Sequence, residues 1–298
     1  MNSIRAAMTA YGTTSLFVLL WSSGAIFAEL GIRHAPAFAF LLMRFALACA
    51  ALGLFGLWRG RWLPARGTRW RVALTGALLT GGYSICYLLA LSRGLTPGLL
   101  ATILGAQPIL TMLATERRYS PRRLAGLAIA LAGLALVVHP GGNAATASTG
   151  GALLGLASLA CITVGAIFQK RIAQAPIDVL PLQNAIGLVM CAAIAPAMPL
   201  AFKPDATLVV SLLWLGLVIS VVAQLLFYRL VQRGDLVNVT SLFYLVPIVT
   251  ALMDYAFLGN RLRAGEIAGM AAILSGLALV LSADRQTRGI GRRVGVGE

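Results

Sequence analysis

Few side chains in this sequence can do chemistry, and their spacing excludes most kinds of it. The two histidines, His34 and His139, stand far apart and in no HExxH-like pattern. No nucleophile, acid/base pair or metal-ligand cluster is concentrated anywhere in the chain, which argues against an enzyme. No Walker loop occurs, so ATP does not drive the process directly, and no cofactor is implied. Cys49, Cys86, Cys161 and Cys191 all fall in apolar runs, where a small hydrophobic filler is the default. What remains is a set of polar groups placed singly in apolar surroundings. Arg44 is the one charge between Ala37 and Trp58, and Asp254 is the one acid well inside an apolar run. Such groups suit recognition of a small solute better than bond-making.

The elements that hold them are written for oil. Of 298 residues, 59% are hydrophobic and 11% charged, with a mean hydropathy of +0.87; a water-soluble domain carries about 25% charged residues. Apolar runs cover about 13–30, 37–58, 70–92, 97–115, 121–139, 150–170, 179–200, 207–230, 236–258 and 263–282. Each approaches the ~20 residues that cross a bilayer core of about 30 Å. The expectation is an all-α integral membrane protein with ten transmembrane helices. The first run follows Arg5 but has no small-residue cleavage site before Glu29, so it reads as a retained helix and not a leader.

The net charge of +15 is distributed as a topology signal and not as a nucleic-acid surface. One set of connecting segments carries Arg59, Arg61, Arg66, Arg69 and Arg71, then Arg117, Arg118, Arg122 and Arg123, then Lys170 and Arg171, then the tail arginines. The opposite set carries only Arg33, Arg93, Lys203, Arg261 and Arg263. That bias puts both termini in the cytoplasm. Membrane lipids, anionic ones included, are the partners it implies; nucleic acid is not.

The second half of the chain echoes the first. Gly24-Ala25-Ile26-Phe27 recurs as Gly165-Ala166-Ile167-Phe168, Ala35-Pro36 as Ala175-Pro176, and Arg93-Gly94 as Arg233-Gly234. Gln107-Pro108-Ile109 returns as Val246-Pro247-Ile248, and Gly133-Leu134-Ala135-Leu136-Val137 as Gly276-Leu277-Ala278-Leu279-Val280. The matches are collinear, which divides the chain into 1–140, a linker at 141–150, a second unit at 151–283 and a basic tail at 284–298. Five helices per unit is an odd number, so the second unit enters the membrane inverted. Inverted repeats are the architecture of alternating-access transporters, with the solute site near the midplane between the halves.

On these residues the chain resembles the ten-helix EamA branch of the drug/metabolite transporter (DMT) superfamily, over nearly its whole length. The motifs that carry the likeness are Trp21-Ser22-Ser23-Gly24, Arg44-Phe45, Tyr87-Leu88-Leu89-Ala90-Leu91, and the Pro108 and Pro247 segments. The family often places Gly-Glu after the fourth helix of a unit. Here the first unit has Glu116-Arg117 and the second Gly259-Asn260, without a glutamate. Within the branch the chain is most similar to YddG-type exporters of amino acids. The resemblance implies export of small metabolites, neutral and aromatic amino acids foremost, from a bacterial inner membrane, on a scaffold that can work as a monomer. Drugs and organic cations, nucleosides or sugars are the alternative cargo.

The candidate substrate-binding residues are Trp21, Ser22, Arg44, Tyr83, Tyr87, Gln107, Asn184, Gln224, Tyr228 and Tyr244. An arginine at depth costs about 2.5–3.5 kcal/mol on insertion scales and faces a bundle interior or a wet cavity. Arg44 either pairs with a substrate carboxylate through two parallel hydrogen bonds or holds helices together. Asn184 stands eight residues after Pro176 as Arg44 stands eight after Pro36. Tyr83 and Tyr87, four apart, share one helix face. Trp21 sits mid-span, as a packing residue or a pocket wall. The amides and remaining tyrosines either line a cavity or bond neighbouring helices. Asp254 is a candidate for an ion pair with Arg44 or for proton coupling. Pro108 and Pro247 each remove a backbone donor and predict a bend, for gating or for cavity shape.

Overall fold

The helices start and stop where the sequence supplies the signals. A computed structural model describes residues 2–60, 63–115, 121–138, 149–202, 204–233, 245–259, 264–265, 267–276 and 278–279. Helix α1 spans Asn2–His34, and α2 spans Ala37–Arg59, entered through Pro36 and ended by Gly60 at φ 65°. That left-handed position suits glycine, and its N–H returns to the carbonyls of Gly56 and Leu57. Next come α3 (Arg69–Ser92) and α4 (Pro97–Thr115), then α5 (Pro121–Val138) and α6 (Thr149–Lys170). The second half continues with α7 (Pro176–Ala197) and α8 (Ala206–Gln232). The described parts of α9 and α10 run Leu245–Leu258 and Ile267–Gly276. Proline at the first position starts α4 and α7, and Asp205 caps α8 by accepting from the Leu208 N–H at 2.7 Å.

Among the described residues, seven helices are long and apolar enough to cross a membrane on those grounds alone. Their outward faces expose Leu54, Leu153, Val189 and Val210, side chains a water-soluble protein would cover. The fold is an all-helical membrane fold of ten helices in two inverted repeats, as the sequence predicts. The linker, apart from its last two residues, and the basic tail lie outside the described residues, as does His139.

The two halves interleave by exchanging partners. Helix α3 packs against α6 and α7, the first two helices of the other half, while α8 packs against α1 and α2. Helix α4 packs against α9, its own repeat mate. Helices α3 and α8 also share a local irregularity: π-helical turns widen α3 over Ala77–Gly82 and α8 over Trp214–Ala223. Such turns redirect side chains and free carbonyls, and they gather at functional sites.

Helix α4 breaks in the middle. Its two pieces, Pro97–Leu104 and Gln107–Thr115, meet at Gly105-Ala106, directly before Pro108. Proline lacks the N–H that would bond the carbonyl four residues back, so the bend expected at Pro108 is observed. A Cβ on Gly105 would stand 2.9 Å from the Pro247 ring, so glycine there lets the two proline segments cross closely. Pro247 is the third residue of described α9, and what precedes Leu245 lies outside the described residues.

The ends of the bundle are tied in matching ways. Arg59 meets Asp178 at 3.1 Å on the arginine-rich face, and the Gln174 side chain bonds Ala65 and Thr68 there. His34 meets Asp205 at 2.7 Å on the opposite face. In each case the first half binds the second, which places the loops as an inverted repeat requires.

Candidate functional site

Between the two widened helices, α3 and α8, the bundle encloses a cavity. Its wall draws on both halves: Trp21, Ala25 and Ala28 from α1; Arg44 from α2; Leu79, Thr80, Tyr83, Ser84 and Tyr87 from α3; Ala101, Leu104 and Gly105 from α4; Asn184 from α7; Leu215, Ile219, Ser220 and Gln224 from α8; Val246 and Thr250 from α9. The free space available to the centres of water-sized molecules is about 40 Å³. About 10–15 Å³ of such space holds one water, so the cavity has room for a few waters or part of a small solute.

Arg44 is held at one end only. Its Nε–H donates to the Ser220 hydroxyl at 2.9 Å, and that hydroxyl donates onward to the Leu215 carbonyl at 2.7 Å in the widened turn of α8. No acidic side chain among the described residues pairs with the guanidinium. Its carbon lies 5.7 Å from the centre of the Phe45 ring, and 8% of the residue is exposed. The terminal nitrogens, which form the two-pronged face of arginine, make no hydrogen bond among the described residues. Asn184 occupies the equivalent place on α7: its Nδ2 donates to the Leu180 carbonyl at 3.1 Å, while its buried Oδ1 has no partner. Ser220 and Thr80 are likewise related by the 140-residue repeat, so the cavity centre is built from two symmetry-related pairs in which only one member is charged.

An aromatic wall stands opposite. The Trp21 and Tyr83 rings stack at 6.4 Å with an interplanar angle of 26°, and Tyr83 meets Tyr87 at 5.6 Å. Trp21 is backed by Phe17 at 5.4 Å and Phe227 at 5.5 Å. Contacts of this kind position aromatic side chains and offer a flat apolar surface to a ligand.

Six candidates from the sequence therefore share one cavity: Trp21, Arg44, Tyr83, Tyr87, Asn184 and Gln224. Of the other four, the three that are described do not line it. Ser22 points to the Val246 carbonyl across a long 3.5 Å contact. Tyr228 is fully buried behind Gln224, and Gln107 is fully buried with neither amide atom partnered. Tyr244 lies outside the described residues. The ion pair between Arg44 and Asp254 does not form. Asp254 Oδ2 instead accepts the backbone N–H of Gly98 at 3.0 Å, in the first turn of α4. Helix starts attract carboxylates because their N–H groups are unpaired and the helix dipole is positive there.

Sequence reasoning missed Ser220, Thr80, Ser84 and Thr250. The repeat offset pairs Ser220 with Thr80 and could have found them, but serine and threonine are commonplace in membrane helices and carry no signal alone.

The all-helical, two-repeat fold agrees with what comparison with known proteins finds. The EamA-like transporter family matches residues 8–139 and again 149–282. A Salmonella typhimurium protein named as a probable amino-acid metabolite efflux pump is 25% identical over 88% of this chain and 91% of its own. The Escherichia coli protein of the same name is also 25% identical, with the same coverage. An uncharacterized transporter of Bacillus subtilis, YvbV, is 25% identical over 89% of each chain. One solved crystal structure superposes with a TM-score of 0.65 at 21% identity, covering 94% of this chain and 99% of that one, which extends the likeness in fold.

Proposed function

The chain belongs to the EamA-like transporter family and is a multi-pass membrane transporter of small molecules, and we propose that it exports neutral amino acids, aromatic and large aliphatic ones included, by alternating access. The observation that carries this reading is the state of Arg44. A guanidinium buried in the bundle, held through Nε by Ser220 and facing a cavity without an acidic partner, is a ready receptor for a carboxylate. Asn184 and Thr250 offer polar atoms nearby, each with a buried oxygen that no group among the described residues satisfies, and these suit an α-amino group. Trp21, Tyr83 and Tyr87 supply the surface for an apolar side chain.

The chemistry disfavours the alternative cargoes. Organic cations would meet a fixed positive charge, and phosphorylated solutes would want more than one. The printed names of the Salmonella and Escherichia coli relatives point the same way at 25% identity. We place the protein in a bacterial inner membrane with both termini cytoplasmic, because the arginines cluster on one face. We divide it into repeats at 1–140 and 151–283, able to act as a monomer. Asp254 is assigned to holding the start of α4 and not to coupling, on the strength of its bond to Gly98. Efflux from proteoliposomes over a panel of labelled amino acids, nucleosides, sugars and a quaternary ammonium drug tests the reading. Movement of the drug with no amino acid moved would refute it.

A further inference from the structure

Toward the arginine-rich face the cavity is closed by a chain of side-chain hydrogen bonds. Gln224 Nε2 donates to the Tyr228 hydroxyl at 2.9 Å, and that hydroxyl donates to Gln183 Oε1 at 2.5 Å. Gln183 Nε2 in turn donates to Gln169 Oε1 at 2.9 Å. The chain crosses α8, α7 and α6, and three of its members, Tyr228, Gln183 and Gln169, are 0% exposed. It starts at the cavity wall, where Gln224 stands, and ends beside Lys170, whose ammonium is held by the Val231 carbonyl at 2.7 Å. Hydrogen bonds between polar side chains at membrane depth join helices.

The inverted repeat presents the same positions at the other end of the bundle, where they can be compared. The repeat offset is 141 between α1 and α6 and 140 between α2 and α7 and between α3 and α8. Gln169, Gln183, Gln224 and Tyr228 then correspond to Ala28, Met43, Ser84 and Leu88. None of these has an amide or a phenol, and only Ser84 can hydrogen-bond through its side chain. Ala28 and Ser84 themselves line the cavity. At one end, bonded side chains tie together α6, α7 and α8 of the second half; at the other, two of the four corresponding positions on α1, α2 and α3, Ala28 and Ser84, open onto the cavity.

We infer that Gln169, Gln183, Tyr228 and Gln224 form the gate at the arginine-rich end of the pathway, with Gln224 joining the gate to the cavity wall. The inference rests on the reading of the chain as an alternating carrier and adds the side chains that decide which end is shut. Among the described residues the repeat-related positions at the opposite end carry no comparable bonded chain, so on this inference the empty carrier rests open away from the arginine-rich face. A solute acceptor that draws Gln224 Nε2 into the cavity removes one bond from Tyr228 and loosens the gate. Binding and opening are thereby linked through one amide.

Ser84→Cys, in a background with the four native cysteines replaced, sets one thiol on the cavity wall. Its alkylation by a membrane-impermeant maleimide is timed from each face of oriented proteoliposomes. Tyr228→Phe, Gln183→Leu and Gln224→Leu are each expected to raise the rate from the arginine-rich face about fivefold, the weight of one buried hydrogen bond in a two-state equilibrium. The rate from the opposite face should stay level or fall. An unaltered rate from the arginine-rich face, in variants that unfold at the parent temperature, overturns the gate. Tyr228→Phe removes a single oxygen and carries the test if a glutamine variant does not fold. Alkylation reads opening whichever solute is carried, so an error about cargo leaves this result standing, and the flux panel identifies that error separately.

Discussion

The Nε–H of Arg44 donates to the hydroxyl of Ser220 at 2.9 Å, from α2 of the first repeat to the widened turn of α8 in the second. The bond explains why an arginine stands in so apolar a helix. Within the π-helical turn the Ser220 hydroxyl donates to the Leu215 carbonyl, and the same hydroxyl fixes one edge of the guanidinium. The opposite edge is kept for the cavity. Arg44 is thus anchored through Nε, the proposed reading makes its terminal nitrogens the receptor, and the two roles can be separated by substitution.

Arg44→Lys keeps the charge and loses both the bond to Ser220 and the two-pronged edge. Efflux of amino acids is expected to fall about tenfold or more, in line with hydrogen bonds to charged groups. Ser220→Ala keeps the guanidinium and loses only its anchor, so it should cost less than Arg44→Lys. Initial efflux rates of both variants at equal reconstituted amounts check the order; the reverse order would assign Arg44 to structure alone.

Tyr83→Ala removes the ring that stacks on Trp21 and meets Tyr87. Preference between phenylalanine and alanine, read as a ratio of efflux rates, should shift toward alanine by about two- to tenfold, the range of one aromatic contact. Tyr87→Ala should shift it in the same direction. Equal loss for both solutes would place these rings in packing and not in selection.

Asp254→Asn retains an acceptor for the Gly98 N–H, so folding and flux should both survive. Asp254→Ala loses the contact and is expected to cost about 0.5–2 kcal/mol, as helix-start acceptors do. Thermal unfolding in detergent measures the second effect. Flux abolished in Asp254→Asn with unfolding unchanged would return Asp254 to proton coupling.

Much of the scaffold was legible in the sequence because bilayer thickness and backbone hydrogen bonding leave few choices. Run length gave the helices, the arginine bias gave their alternation, and Pro108 gave the break in α4. Arg44 and Asn184 were legible as mates because each stands eight residues past its proline. The role of Asp254 was not, since hydropathy shows that an acid is buried but not which helix start it meets. The widened turns of α3 and α8 leave no mark in composition. Tyr228 and Gln224 look alike as polar residues in one helix, yet a single turn puts Gln224 on the wall and Tyr228 behind it. Periodicity cannot make that distinction without knowing which face the neighbouring helix takes.

The central claim is that the Arg44 guanidinium in this cavity receives the carboxylate of an amino acid. Competition between matched solutes tests it most directly. Efflux of labelled phenylalanine from proteoliposomes is measured with unlabelled phenylalanine or with phenethylamine, which has the same ring and amine but no carboxylate. Phenylalanine should inhibit strongly and phenethylamine at least about tenfold more weakly, the weight of a charge-assisted pair, and Arg44→Ala should erase the difference. Equal inhibition by the two compounds in the unaltered protein would contradict the account.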